Sequence, residues 1–271
     1  MTGPGKRSGK TTLLNALLPA ARKAGPVGLF SVGVDGGLKA GDRACAAEVR
    51  VEEGDVVLTT DLFARASSAR LEVLETFEGR TVLGRLLLGR AVRRGEVTLV
   101  GAESVGALGA VVGVARSEGW AASCLVDGAA SRLTQVGALE GARFVYTVRV
   151  DRGGLARLAE ELRALVALAE IPVSPEPPAG ALRVEGPLTE EGRSRLPAPC
   201  PPLSLADFTK LFLPPRALLR LLAAAPCSLR RGFPLVGIVA ALRDVTREEL
   251  EAAAGPAVTP YLLENPYAVA A

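Results

Sequence analysis

The chain has 271 residues, of which 49% are hydrophobic, so it can bury the core of one large domain or of two small ones. Its 32 basic and 29 acidic residues leave a net charge of +3, and because they are spread along the chain we expect no nucleic-acid partner. The sequence contains no histidine, which excludes Ser/His/Asp triads and leaves carboxylates, Lys and Arg for chemistry.

The cysteines and the hydropathy pattern predict a cytoplasmic protein. The apolar run from Phe233 to Leu242 is too short to span a bilayer, and the sequence shows no signal-peptide pattern, so we expect no membrane association. Neither a zinc site nor a disulfide framework is indicated, because no CxxC spacing occurs among the cysteines, which are Cys45, Cys124, Cys200 and Cys227.

The segment from Gly3 to Leu18, GPGKRSGKTTLLNALL, has the pattern of a phosphate-binding loop that leads into a helix. We expect the Lys10 ammonium to bind phosphate and the Thr11 hydroxyl to bind Mg²⁺, while the helix directs its positive dipole end at the same point. The alternative is a glycine-rich turn that caps an ordinary helix. The predicted ATP-binding residues are Gly5, Lys6, Arg7, Ser8, Gly9, Lys10, Thr11 and Thr12.

Two features depart from the usual phosphate loop. Pro4 stands where the pattern GxxxxGK[ST] has glycine, although glycines flank it. Only Met1 and Thr2 precede Gly3, whereas such a loop normally follows a buried central strand, so we expect that the first strand is missing from this sequence.

The first helix is predicted over residues 10–23 and is followed by a buried strand over 27–34 that ends at Asp35. A carboxylate at the carboxyl end of a parallel strand is well placed for a metal-bound water or a nucleotide-responsive switch, although Asp-Gly also forms ordinary turns. Helical spacing is poor over residues 40–95, so we predict an antiparallel β insertion there, in which EVRVEEGDVVLTT forms two strands about a turn.

Residues 96–127 return to an α/β pattern, with Ser104 as the predicted cap of a helix that runs to Arg116. Glu103 and Asp127 each follow a predicted strand, and either one is a candidate for the acid that holds Mg²⁺. We favour Asp127 because the apolar run SCLV leads directly into it. The predicted catalytic residues are therefore Lys10, Asp127, Glu103 and Asp35, with Thr11 and Asp127 as metal ligands.

A strand over 142–150 and an amphipathic helix over 155–169 complete a predicted nucleotide-binding domain, residues 1–172. The Pro-rich segment 173–180 is the predicted linker, and 181–271 form a smaller α/β region. There the polar residues of ADFTK, which include Asp207, indicate either a site or an exposed strand edge. We thus predict an α/β fold: a P-loop NTPase-like parallel sheet with an antiparallel insertion and a smaller C-terminal α/β part.

The GKTTLLNALL segment resembles phosphate-loop GTPases, but neither asparagine, Asn15 or Asn265, starts an NKxD motif. The signature lysine of MinD-like ATPases would fall on Gly5, and no LSGGQ-like sequence indicates an ABC transporter ATPase. Five segments along most of the chain belong together in a further resemblance: PGKRSGKTTLLNAL, SVGVDG, GEVTLVGAES, CLVDGAASR and ADFTKLFL. Through them the chain resembles the nucleotide-binding subunit of the reactivase for lysine 5,6-aminomutase, an adenosylcobalamin enzyme.

This resemblance implies an ATP-driven chaperone that works with a second reactivase subunit to expel damaged cobalamin from the aminomutase. MgATP at Lys10 would then order the loops at Asp35, Glu103 and Asp127, and hydrolysis would release them. Two alternatives remain. One is a small-molecule kinase or ATP-dependent ligase, with Arg90, Arg93 and Arg94 as a phosphate clamp, and the other is a nucleotide-binding scaffold that does not hydrolyse its ligand.

Overall fold

The computed structural model describes residues 10–32, 48–81, 83–102, 104–128 and 141–263. The chain has an α/β fold and divides into two compact units, Met1–Glu140 and Gly141–Ala271. The predicted linker over 173–180 therefore lies inside the second unit, where Ser174 N donates to Leu229 O at 2.8 Å. In the described part of the chain, every helix is too short or too polar to cross a membrane.

The first unit alternates strands and helices, and it includes the helix and the strand predicted after the phosphate loop. Pro19 lies within the first helix, and a short 3₁₀ turn over Arg22–Ala24 follows it. In chain order the elements are α1 (Lys10–Ala21), β1 (Val27–Ser31), β2 (Glu48–Val51), β3 (Val56–Thr60), α2 (Asp61–Ala66), β4 (Arg70–Thr81), β5 (Gly84–Arg93), β6 (Gly95–Thr98), α3 (Val105–Ser117) and β7 (Ser123–Asp127).

The main sheet of this unit has five strands in the order β4-β5-β3-β1-β7. β1 runs parallel to both β3 and β7, whereas β5 and β4 extend the sheet in antiparallel fashion. The pairing of β4 with β5 shifts register at three places, and β4 forms one edge of the sheet. The sheet is thus mixed, with a parallel centre.

The structure corrects the predicted insertion over residues 40–95 in two ways. β3 is an interior strand of the main sheet, parallel to β1, and is not part of a separate antiparallel element. β2 does not pair with β3 across the predicted turn, because it pairs antiparallel with β6. The turn between β2 and β3 is closed by Asp55, whose carboxylate accepts from Glu52 N at 2.9 Å. Strand order therefore depends on distant partners that a local pattern does not specify.

Helix α1 packs one face onto this unit's core. Leu14 and Leu18 are buried and pack with Val27 and Leu29 of β1, and with Val57 of β3. Complete burial of one leucine side chain contributes roughly 1.5–3 kcal/mol, so these two leucines alone hold α1 firmly to the sheet. Further members of the cluster come from the β2–β6 pair and its surroundings, namely Val49, Val51, Ala69, Ala91, Val97 and Leu99.

The second unit contains two three-stranded sheets, and each of them is parallel throughout. One has the strand order β13-β12-β8 and the other β11-β10-β9. In chain order the elements are β8 (Phe144–Val150), α4 (Leu155–Ala169), β9 (Leu182–Val184), α5 (Glu190–Ser194), β10 (Leu203–Asp207), α6 (Pro215–Ala224), β11 (Cys227–Arg231), β12 (Leu235–Leu242), α7 (Arg247–Ala254) and β13 (Leu262–Leu263).

Three phenylalanines connect the two sheets of the second unit. Phe144 begins β8, Phe208 follows β10 and Phe233 precedes β12. Their ring centroids lie 4.7–6.1 Å apart, and all three side chains are buried. Such aromatic pairs add to the stability that burial alone gives. The predicted helix over 155–169 is present, whereas β11 and α7 were not predicted.

Candidate functional site

The carboxyl ends of β1, β3 and β7 meet at one edge of the main sheet, because these three strands are parallel. Ser31, the last residue of β1, is in register with Asp127, the last residue of β7. Val32 N donates to the Asp127 carbonyl at 3.0 Å and thereby fixes the end of β7. In open α/β sheets, ligands bind in the crevice outside this edge. Asp127 therefore lies at the carboxyl end of a parallel strand, as the sequence predicted.

Helix α1 begins at the same edge. Arg22, just beyond its last residue, binds Asp55 at the amino end of β3. Leu14 and Leu18, which lie between Lys10 and Arg22 in the chain, pack against the core of the sheet. The helix has 12 residues, or about 18 Å at 1.5 Å per residue, which is enough to run back along β1. Lys10, its first residue, is half-buried. The topology therefore brings Lys10 and Asp127 to one edge of the sheet.

A third segment, residues 99–102, inserts between the ends of β3 and β1. Val100 N donates to Leu58 O at 3.1 Å, and Ala102 forms a parallel bridge with Val32. The chain then reaches Ser104, whose hydroxyl accepts from Ala107 N at 3.1 Å and caps α3, as predicted. The positive dipole end of α3 is consequently also directed toward this edge, where it would favour an anion.

The donor set at this edge suits Mg²⁺ and phosphate. Asp127 is only 8% exposed, so an ion bound to its carboxylate would be partly shielded from solvent. Carboxylate and hydroxyl oxygens are ligands of the kind that Mg²⁺ prefers, and the sequence predicts the Thr11 hydroxyl as the second ligand. Lys10 supplies a cation for phosphate oxygens. The described residues thus fit MgATP in chemical type.

Several predicted site residues lie outside the described residues: Gly5, Lys6, Arg7, Ser8, Gly9, Asp35 and Glu103. Their roles remain predictions, and so does the choice between Glu103 and Asp127 as the metal-binding acid. Of the remaining residues, Thr12 is exposed on α1. The structure brings together the start of α1 and the end of β7.

The arginines considered as a phosphate clamp lie at the opposite edge of the sheet. Arg90 is in register with Val56, the first residue of β3, and therefore lies at the amino end of the parallel strands. Its guanidinium pairs with Glu72 at 3.5 Å, while Arg93 donates to the Ser68 carbonyl at 3.4 Å. These residues cannot clamp a phosphate held beside Asp127 without a large rearrangement of β5.

Asp207 in ADFTK does not lie at an exposed strand edge. It ends β10, the central strand of its sheet, and is 8% exposed. Its carboxylate accepts from Thr209 N at 2.9 Å, from the Thr209 hydroxyl, and from Arg231 at 2.8 Å. Burial acts to raise the pKa of Asp207, but the hydrogen bonds from Thr209 and Arg231 outweigh it and hold the pKa below its usual value. Asp207 is thus a buried, hydrogen-bonded cap.

Two of the described thiols, those of Cys124 and Cys227, are poorly suited to nucleophilic chemistry. Burial raises the pKa of Cys124 on β7, although Arg116 partly opposes this effect. Burial also raises the pKa of Cys227 to about 11, and the nearby Cys200 contributes to the increase. Since the thiolate is the reactive form, both groups are largely inert at neutral pH. The chemistry of the site therefore falls to Lys10 and the carboxylates.

Comparisons with protein-family models, with curated proteins and with solved structures found no match to this chain.

Proposed function

We propose that the first unit binds MgATP beside the start of α1 and hydrolyses it. The observation that carries the proposal is the common edge reached by Lys10 and Asp127, with the capped start of α3 beside them. This edge is where parallel sheets bind ligands, and it combines a cation, a carboxylate and a helix dipole. The GKTT sequence at the start of α1 gives the edge the chemistry of a phosphate site.

Each residue has a distinct role in this proposal. Lys10 binds the phosphate oxygens and offsets the charge that develops on them during transfer, while Thr11 and Asp127 hold Mg²⁺. The ion supplies charge neutralisation between the phosphates when it is bound. We assign Gly5 to Gly9 to the phosphate cradle, and Asp35 and Glu103 to the sensing or activation of the attacking water.

We further propose that hydrolysis remodels a partner protein. The resemblance to the aminomutase reactivase supports an adenosylcobalamin-dependent aminomutase as the enzyme that is reactivated, together with a second reactivase subunit.

The test is calorimetric titration of MgATP and MgGTP into the wild type and three variants. Lys10→Ala and Asp127→Asn should weaken binding by roughly tenfold to a hundredfold, because each removes a charged contact worth about 1.5–3 kcal/mol. Lys23→Ala is the matched control. Lys23 is an exposed lysine at the far end of the same helical segment, so its removal should leave the affinity unchanged.

An assay of phosphate release then distinguishes the proposed ATPase from its alternatives. We expect slow hydrolysis that the partner enzyme accelerates and that Asp127→Asn abolishes. Phosphorylation or ligation of a small acceptor without any partner would instead identify a kinase or a ligase. Binding without turnover, alone or with the partner, would identify a scaffold. If no nucleotide binds, or if Lys10→Ala binds as well as Lys23→Ala, the proposed site is wrong.

A further inference from the structure

The sheet formed by β9, β10 and β11 has one apolar face and one polar face. Leu203, Leu205 and Leu229 are at most 1% exposed and form the core on the first face. The opposite face carries side chains that alternate with them, including Arg183, Ser204 and Arg230. Parallel sheets usually bury apolar residues on both faces. The polar face of this sheet is therefore unusual for a parallel sheet, and its charged side chains Arg183 and Arg230 are exposed.

The polar face contains a pocket of about 220 Å³. Its floor is formed by Ser204 and Ala206, whose small side chains leave room above the central strand. Arg183 is in register with Ser204 on one side. On the other side Arg230 stands opposite Ala206, because the residues before and after them are paired. β9 and β11 flank β10, so the strands that carry these two arginines lie about 9.6 Å apart, a distance that two long arginine side chains can cover from opposite sides of the floor.

Two carboxylates complete the lining. Glu185 lies two residues after Arg183 and so projects from the same face, while Glu176 comes from the turn at residues 175–177. The pocket therefore contains two positive and two negative side chains. Within the part of the chain that the structure describes, these four side chains form no ion pair or hydrogen bond with one another. Their charges remain available to a ligand.

We propose that this pocket binds a small zwitterion of the α-amino-acid class. The guanidinium groups of Arg183 and Arg230 receive its carboxylate, since arginine matches a carboxylate with two parallel hydrogen bonds. Glu176 and Glu185 receive its ammonium group. A simple anion would face two carboxylates and a simple cation two guanidinium groups, so only a ligand with both charges satisfies the lining. The volume restricts the ligand to a small molecule.

The experiment uses the full chain and proceeds in two steps. Saturation-transfer NMR with pools of the proteinogenic α-amino acids, at millimolar concentration, should detect binding of at least one member. The amino acid that binds is then compared with its deaminated carboxylic acid and its decarboxylated amine. Each derivative should bind at least about tenfold more weakly, because each leaves one pair of charged side chains without its partner.

Three variants connect binding to the pocket. Arg230→Gln and Glu185→Gln should each weaken the affinity by about tenfold or more. Both residues are exposed, so neither change should unfold the unit, and circular dichroism verifies this. Arg220→Gln on α6 is the control, because Arg220 is an exposed arginine outside the pocket and its loss should have no effect.

Three results would overturn the proposal. They are the absence of binding by any amino acid at these concentrations, equal binding of the deaminated acid, and an Arg230→Gln variant that binds like the wild type. The second result would assign the pocket to simple anions. None of them depends on nucleotide binding at the first unit, so this proposal and the proposed ATPase fail independently.

Discussion

The ion pair between Arg22 and Asp55 should be the strongest single polar contribution to the stability of the first unit. The Asp55 side chain is 2% exposed and accepts from Arg22 Nε at 3.0 Å and from Arg22 Nη2 at 2.5 Å. The same guanidinium donates to the Arg50 carbonyl at 3.0 Å. Arg22 thus connects the end of α1 to β2 and to the start of β3, and it holds the helix that begins with Lys10.

The variant Arg22→Met keeps an aliphatic side chain and removes the charge. Among the residues that the structure describes, it leaves the buried Asp55 carboxylate with only the hydrogen bond from Glu52 N. Breaking a buried ion pair in this way costs about 3–5 kcal/mol. Because the Arg22 side chain is 22% exposed, water can partly replace it, and we expect the lower value. A loss of about 3 kcal/mol corresponds to a decrease in Tm of roughly 6–12 °C for a unit of this size.

Urea denaturation followed by tryptophan fluorescence measures this loss, because the one tryptophan, Trp120, lies in the first unit. Arg50→Met is the matched control. The Arg50 side chain is 80% exposed and pairs with Glu96 at 3.7 Å, so its removal should cost less than about 1 kcal/mol. If the two variants lose similar stability, the buried pair does not anchor α1 and the reasoning fails.

Two further predictions concern Asp207 in the second unit and a pair of glycines in the first. Asp207→Asn should cost about 1–3 kcal/mol at neutral pH, because it weakens the bonds from Thr209 and Arg231. The pKa of folded Asp207 is lowered, so its stabilisation is complete above the pKa of an unfolded Asp and is lost as the pH falls through the folded pKa. Urea denaturation at decreasing pH should therefore show the wild type approaching the variant, and a constant difference would contradict this account. In the first unit, Gly95→Ala should destabilise by about 1–3 kcal/mol, since a Cβ there would collide with the backbone of Ser68 and Ala69. At Gly113 in α3, an added Cβ would meet no described atom within 4 Å outside the neighbouring residues of the helix, so Gly113→Ala should stabilise by up to about 1 kcal/mol. Urea denaturation followed by Trp120 fluorescence measures both variants, and equal changes in stability would refute this comparison.

Local patterns were sufficient to predict several of the helices, although α2 and α7 were not predicted. The helix over 155–169 occurs at the predicted residues because its apolar spacing and its ends depend on neighbouring residues only. Strand partners were not predictable in this way. β2 pairs with β6 and β3 joins the main sheet beside β1, and both arrangements depend on residues far along the chain. The boundary between the units was not predictable from local patterns either. β8 belongs to the second unit because it pairs with β12, which is far along the chain.

The candidate site was likewise predictable only where it depends on a local pattern. The apolar run that ends at Asp127 predicted a carboxylate at a strand end, and the structure places it beside Ser31. The position of Arg90 was not predictable, because it depends on the direction of β5 relative to β3. The pocket over β10 was not predicted either, since Arg183 and Arg230 belong to different strands and line the same pocket only in the folded sheet. The available signal was the alternation of charged residues in LRVEG.

The three register shifts along β4 have a consequence for the protein at high concentration. An edge strand presents unpaired backbone groups, and a regular row of them can recruit a strand from another molecule and start aggregation. The irregular pairing of β4 interrupts that row, and the exposed charged residues Arg70, Glu72 and Glu75 oppose the approach of a second chain. This long hairpin can therefore remain exposed without serving as a template for self-association.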